Sequence, residues 1–149
     1  MQADRLTDVL YEGVHCRLAV ERPVPAFVVI RLAGLDAGEF GDVPMQELAK
    51  DLCLGRPVEL FIDARAVRGA SVQVSSEWAQ WLGKHRSRFR RISMLTGSRF
   101  IQLTAHFVRR FADLGDVMRI YSDPRAFDAA LAARLNQARE KEPMAVACE

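Results

Sequence analysis

Apolar residues recur with two different periods along this chain. Residues 14–20 and 26–32 are strand-like runs separated by Glu21-Arg22-Pro23-Val24-Pro25, and so short a punctuated connection predicts an antiparallel hairpin. Past Gly34 the spacing becomes helical. Val43, Met45, Leu48, Ala49, Leu52 and Cys53 recur on one side before Gly55 and Pro57 end the segment, which predicts an amphipathic helix with a glycine stop. From residue 58 strand and helix alternate. Residues 58–62 form a short apolar strand, and Trp78, Trp81, Leu82, His85 and Phe89 give a helix over 75–88 one apolar face. The strand at 91–96 leads through Gly97-Ser98 into a helix carrying Phe100, Leu103, Phe107, Phe111 and Leu114. A strand at 117–121 follows, then Asp123-Pro124 opens a last helix with Phe127, Leu131 and Leu135 as its buried stripe.

Strands joined through a helix lie parallel in one sheet. The pattern therefore predicts a single α/β domain over residues 1–138, with a mixed sheet of about five strands, an N-terminal antiparallel hairpin and about four helices. Residues 139–149 turn polar and are expected to form a loose tail. At 149 residues, with 50% hydrophobic and 27% charged residues, the chain suits one packed core. The longest apolar run, Phe27-Val28-Val29-Ile30, is too short to span a bilayer, and Met1-Gln2-Ala3-Asp4-Arg5 lacks the basic-then-apolar order of a signal peptide. A soluble, cytoplasmic protein is expected. Cys16, Cys53 and Cys148 are scattered, so neither a disulfide framework nor a zinc site is expected.

Charge adds detail. The net value of +2 hides a cation run at Lys84, Arg86, Arg88, Arg90 and Arg91, continued by Arg99, Arg109 and Arg110, with no acid between residues 84 and 112. Asp36, Glu39, Asp42, Glu47 and Asp51 face only Lys50, which suggests a dipolar surface. The run reads either as a docking patch for an acidic protein surface or an anionic lipid, or as a solvated helix end favoured by the helix dipole. Nucleic acid is not an expected partner, because the run lacks interleaved aromatic residues.

At the C-terminal edge of a parallel sheet, helix N-termini and strand ends collect ligands. There Arg65, Arg68, Gly69, Ser71, Gly97, Ser98 and Arg99 could hold a phosphate or carboxylate, although an ordinary turn and cap look the same. Asp63, placed at the tip of its strand, reads as a base or as a turn cap. His15, His85 and His106 are isolated, so no metal and no cofactor is expected. Cys16 and Cys53 read as small apolar packers. Trp78 and Trp81, about 60° apart around a helix, read as core on one flank, or as a pair at a groove edge that meets a partner or an apolar ligand.

The order of elements resembles the STAS domain of anti-sigma factor antagonists, in particular its SpoIIAA-like or STAS/SEC14 branch. The resemblance rests on Val58-Glu59-Leu60-Phe61-Ile62-Asp63 followed by residues 64–70, on Arg91-Ile92-Ser93-Met94-Leu95-Thr96-Gly97, and on Val117-Met118-Arg119-Ile120-Tyr121-Ser122-Asp123. It implies a non-enzymatic regulatory module acting on a protein partner, a regulator or a kinase. In that family a serine in an Asp-Ser-Ser-Gly-Leu stretch is phosphorylated at a helix start. The matching stretch here, Val74-Ser75-Ser76-Glu77-Trp78, keeps Ser75 and Ser76 but replaces the aspartate and the glycine. A phosphate on Ser76 is expected to gain from the helix N-terminus and to lose to the Glu77 carboxylate, and helix capping accounts for one serine there without any switch. The alternative function implied by the same resemblance is a carrier or sensor of a small apolar or anionic ligand, for which the wide apolar face of the helix from Arg99 to Leu114, with Phe100, Ile101, Leu103, Thr104, Phe107, Val108 and Phe111, would line a cavity, unless it packs on the sheet. A small hydrolase would rest on Asp63 with Ser71 or Ser76.

Overall fold

A computed structural model describes residues 6–36 and 38–141, with Asp36 by its backbone alone. The elements in chain order are β1 (Val9–Glu12), β2 (Cys16–Val24), β3 (Phe27–Asp36), α1 (Val43–Leu52), β4 (Val58–Ala70), α2 (Val72–Lys84), β5 (Phe89–Thr96), α3 (Arg99–Phe111), β6 (Met118–Tyr121) and α4 (Pro124–Lys141), with one 3-10 turn at Arg86–Arg88. All strands join one six-stranded sheet in sequential order. β1, β2 and β3 run antiparallel, and β3 to β6 run parallel. The α/β class, the hairpin and the mixed sheet match the sequence expectation, with one strand more. That strand, β1, is four residues long at the sheet edge, and half of them are exposed, so it carries little apolar signal.

Alternation in the strands feeds two separate cores. Val28, Ile30, Leu60, Ile62 and Ile92 face α1, α2 and α3, where Leu48, Leu82 and Val108 meet them. Phe27, Val29, Phe61 and Leu95 face α4, whose Phe127 is fully buried. Phe127 meets Phe61 and Tyr121 edge-on, with ring centroids 5.5 and 5.8 Å away, an arrangement that aromatic quadrupoles favour.

Several boundaries differ from the sequence reading. β4 continues through Asp63 to Ala70 because it stays paired with β3 across two register shifts. α2 starts at Val72 with Ser71 as its cap, and it ends at Lys84 rather than Arg88. Residues 139–141, expected in the tail, belong to α4. Residues 1–5 and the rest of the expected tail, with Cys148, lie outside the described residues.

The acidic segment also lies differently. Glu47 and Asp51 are buried on α1, where Arg22 of β2 bonds both at 3.0 Å, so they tie the hairpin to α1 instead of charging the surface. Burial pushes the Asp51 carboxyl up against the pull of Arg22, while hydrogen bonds from Tyr11, Arg22 and Lys50 outweigh burial and bring Glu47 down. Removing Arg22 would take this cation from the buried Asp51 carboxylate and leave Glu47 with Lys50.

Candidate functional site

The edge expected to bind an anion is already occupied by its own side chains. Asp63 lies inside β4 and is buried; Arg31 donates to it at 2.8 Å and the Arg65 Nε at 3.0 Å. Arg65 reaches on to Asp128 of α4 at 2.6 Å, and these carboxylates, Asp128 first, raise its pKa. Asp63 is thus a held counter-ion at mid-strand and not a group at a strand tip. Ser71 and Ser98 are both N-caps, accepting from the Val74 and Ile101 N–H groups at 3.1 and 3.2 Å. Gly97 is required by packing: a Cβ there would stand 2.2 Å from the Arg65 carbonyl oxygen. Gly69 sits within β4 opposite Leu35. Of the expected cluster, Arg68 and Arg99 remain as exposed cations.

The serine pair moves as well. Because α2 begins at Val72, Ser75 and Ser76 lie beyond its first turn, and Ser71 holds the helix start. Ser75 is buried and donates its hydroxyl to the Ser71 carbonyl oxygen at 3.1 Å. Ser76 is half-buried.

Nor do the cations from residue 84 onward form one patch. Arg86 pairs with Asp116 at 3.2 Å, and Arg88 donates to the Leu52 carbonyl oxygen. Arg90 lines a polar cleft with Glu59, Arg134 and Lys141, whereas Arg91 lines a depression with His106, Arg109 and Arg119. Lys84 stands at the mouth of a third feature, the groove between α1 and α2. A helix end, a 3-10 turn and a strand follow one another here, so neighbours in sequence diverge in space.

Trp78 and Trp81, about 60° apart on α2, both pack against the larger core and line different clefts. Trp81 lines the α1–α2 groove of about 520 Å³, with Met45 and Ala49 beneath it and Gln46, Gln80 and Lys84 around it. Its ring lies 4.5 Å from that of His85 and edge-on to Phe89. Burial, helped by Lys84 and Arg88, pushes the His85 pKa down. Trp78 lines an apolar cleft of about 80 Å³ between α2 and α3, together with Val67, Val74, Ile101 and Ala105.

The wide apolar face of α3 divides into an inner and an outer stripe. Ile101, Ala105 and Val108 face the sheet from α3, while Phe100, Leu103, Phe107 and Phe111 point to solvent, 46–63% exposed. The available signal was the presence of two apolar stripes on one helix, since a helix lying on one sheet buries only one of them. Other isolated residues carry less. Cys53 is exposed at the end of α1, contrary to the packing role expected of it, while Cys16 is buried. Among the described residues no group of three His, Cys, Asp or Glu side chains is arranged to hold a metal ion. No described helix is long and apolar enough to cross a membrane.

Comparisons with solved structures agree with this topology. An uncharacterised protein of the DUF3478 family with a SpoIIAA-like fold, from Shewanella loihica PV-4, superposes with a TM-score of 0.54 at 16% identity, covering 83% of this chain and 99% of the other. The anti-sigma factor antagonist SpoIIAA in its unphosphorylated form gives 0.52 at 18% identity over 76% of this chain and 95% of its own. No family model and no curated protein sequence matches the chain. The domain has a SpoIIAA-like, STAS-type fold.

Proposed function

We propose that this chain is a non-enzymatic regulatory module that binds a protein partner, and that the partner seats an apolar helix face in the groove between α1 and α2. The groove carries this reading. An aromatic ring with an apolar floor and a polar rim is the composition of a binding hot spot, and a groove between two helices suits an amphipathic helix. Trp81, Met45 and Ala49 provide the apolar surface; Asp42, Gln46, Glu77, Gln80 and Lys84 provide the rim. A binding role is also what the name of the structurally similar SpoIIAA describes, an anti-sigma factor antagonist.

The state of the chemical groups supports a role without catalysis. Asp63 is held by two arginines, and the Ser71 and Ser98 hydroxyl oxygens accept from helix N–H groups, which leaves each poorly placed to act as base or nucleophile. Phosphorylation of Ser75 or Ser76 has no part in this mode of action. Ser75 is buried with its hydroxyl engaged, and a phosphate on Ser76 would stand beside Glu77 rather than on free helix N–H groups.

Ala49→Arg places a charge on the groove floor, and Arg125→Glu on α4 serves as the distant control. Tagged full-length chain, crosslinked in its host and read by quantitative mass spectrometry, should show a partner crosslinked through Lys84. Recovery of that partner should fall about tenfold or more with Ala49→Arg, a loss of about 1.4 kcal/mol or more in binding. It should be unchanged with Arg125→Glu, with both melting temperatures within about 2 °C of the parent. Equal recovery from both variants would remove the groove as the docking site.

A further inference from the structure

The outer face of α3 carries large apolar side chains where the fold gives them nothing to cover. Phe100, Leu103, Phe107 and Phe111 are 58, 63, 46 and 60% exposed. Their spacing of three, four and four residues places them within an arc of about 80° and along about 16 Å of helix. They form a ridge and not a groove, because the opposite side of the helix is held against the sheet by Ile101, Ala105 and Val108. Phe107 and Phe111 meet edge-on at 5.4 Å, an arrangement that aromatic rings favour.

Cations line one side of this ridge. Arg99, His106 and Arg110, all exposed, occupy the adjoining arc of about 40°, and His106 shares its depression with Arg91, Arg109, Arg119 and Asp116. No acid occurs along the ridge; Asp113 and Asp116 come after the helix, and Asp116 is bonded to Arg86. Phenylalanine and leucine on one arc with arginine on the next is the composition of a helix lying in a bilayer interface. Arginine stems can run along the apolar boundary while their guanidinium groups reach phosphate. A second copy of this chain fits less well, since it would bring another row of cations and no acids to meet the first. A rigid protein would need a groove shaped for the ridge, whereas a bilayer deforms around it.

We propose that the outer face of α3 docks on anionic lipid bilayers, with Phe100, Leu103, Phe107 and Phe111 entering the boundary between headgroups and acyl chains and Arg99 and Arg110 on the lipid phosphates. Binding is peripheral and reversible, and weakens with salt as exposed charges are screened. The surface is separate from the α1–α2 groove, so membrane docking does not depend on the partner proposed above.

The test is co-sedimentation of the full chain with vesicles of phosphatidylcholine alone or of phosphatidylcholine with phosphatidylglycerol. The parent should sediment only with the phosphatidylglycerol vesicles. Phe107→Ser with Phe111→Ser should weaken this by about tenfold or more, because two large apolar side chains no longer leave water. Arg99→Glu with Arg110→Glu should abolish it, both pairs should keep the parent's melting temperature, and Ala49→Arg should sediment as the parent does. Three results would overturn the proposal: no sedimentation of the parent, sedimentation indifferent to both pairs, or a dimer in solution that Phe107→Ser with Phe111→Ser dissolves. Loss of a host protein with the ridge variants, without any vesicle binding by the parent, would assign the ridge to that protein instead.

Discussion

Helices α3 and α4 cover opposite faces of the same sheet, and they use their aromatic residues in opposite ways. α4 turns Phe127 inward until none of it is exposed and packs it on Phe61 and Tyr121. Its outer side carries Arg125 and Asp128 among small residues. α3 turns small or medium side chains inward, Ile101, Ala105 and Val108, and so lies close to the sheet with its phenylalanines outside. Burying a phenylalanine contributes about 1.5–3 kcal/mol, and α3 gives up that contribution at Phe100, Phe107 and Phe111. Aromatic content on α4 therefore serves the core, and on α3 it serves the surface.

Three substitutions sharpen this contrast. Phe127→Ala should be the most damaging, at about 3–5 kcal/mol of unfolding free energy, because it opens a cavity against Phe61; chemical denaturation with an unchanged m-value would measure it. Ala105→Phe forces a ring into the contact between α3 and the sheet, and overpacking of that kind should cost about 1–3 kcal/mol by the same method. Phe107→Ser, on the outer side of the same helix, should move stability by no more than about 0.5 kcal/mol. A cost at Phe107 comparable to that at Phe127 would mean that the ridge is part of the core, and the contrast would fail.

The alternation of apolar runs made the hairpin, the parallel strands and all four helices legible before any coordinates. Periodicity gave the axis of each stripe, but it did not say which side meets the sheet. That gap leaves α3 open in the sequence, and the inner stripe of Ile101, Ala105 and Val108 meets the sheet because it lets the helix approach closely. The extension of β4 was hidden because Arg65, Ala66 and Arg68 interrupt its apolar run, and past Ala64 it is pairing with β3 that maintains the strand. Sign of charge likewise does not reveal burial: Arg22, Glu47 and Asp51 come together across 25 and 29 positions of sequence. Helix geometry puts Trp78 and Trp81 on one face of α2, and that they line different clefts depends on α1 and α3, which the spacing does not reveal.

The ridge reads in the sequence as cavity lining or as sheet packing for the same reason. Its residues were visible and its exposure was not. The cations beside it were visible too, yet the segment from Lys84 to Arg91 was read as one surface when helix, turn and strand send those side chains to different faces.

Hydroxyl-radical footprinting of the full chain, read by mass spectrometry with and without phosphatidylglycerol-containing vesicles, compares both helices in one measurement. Phe100, Phe107 and Phe111 should be oxidised readily in buffer and protected on the vesicles, while Phe27, Phe61 and Phe127 stay unmodified in both. Protection of Phe107 in buffer, or oxidation of the ridge undiminished by vesicles, would contradict the account.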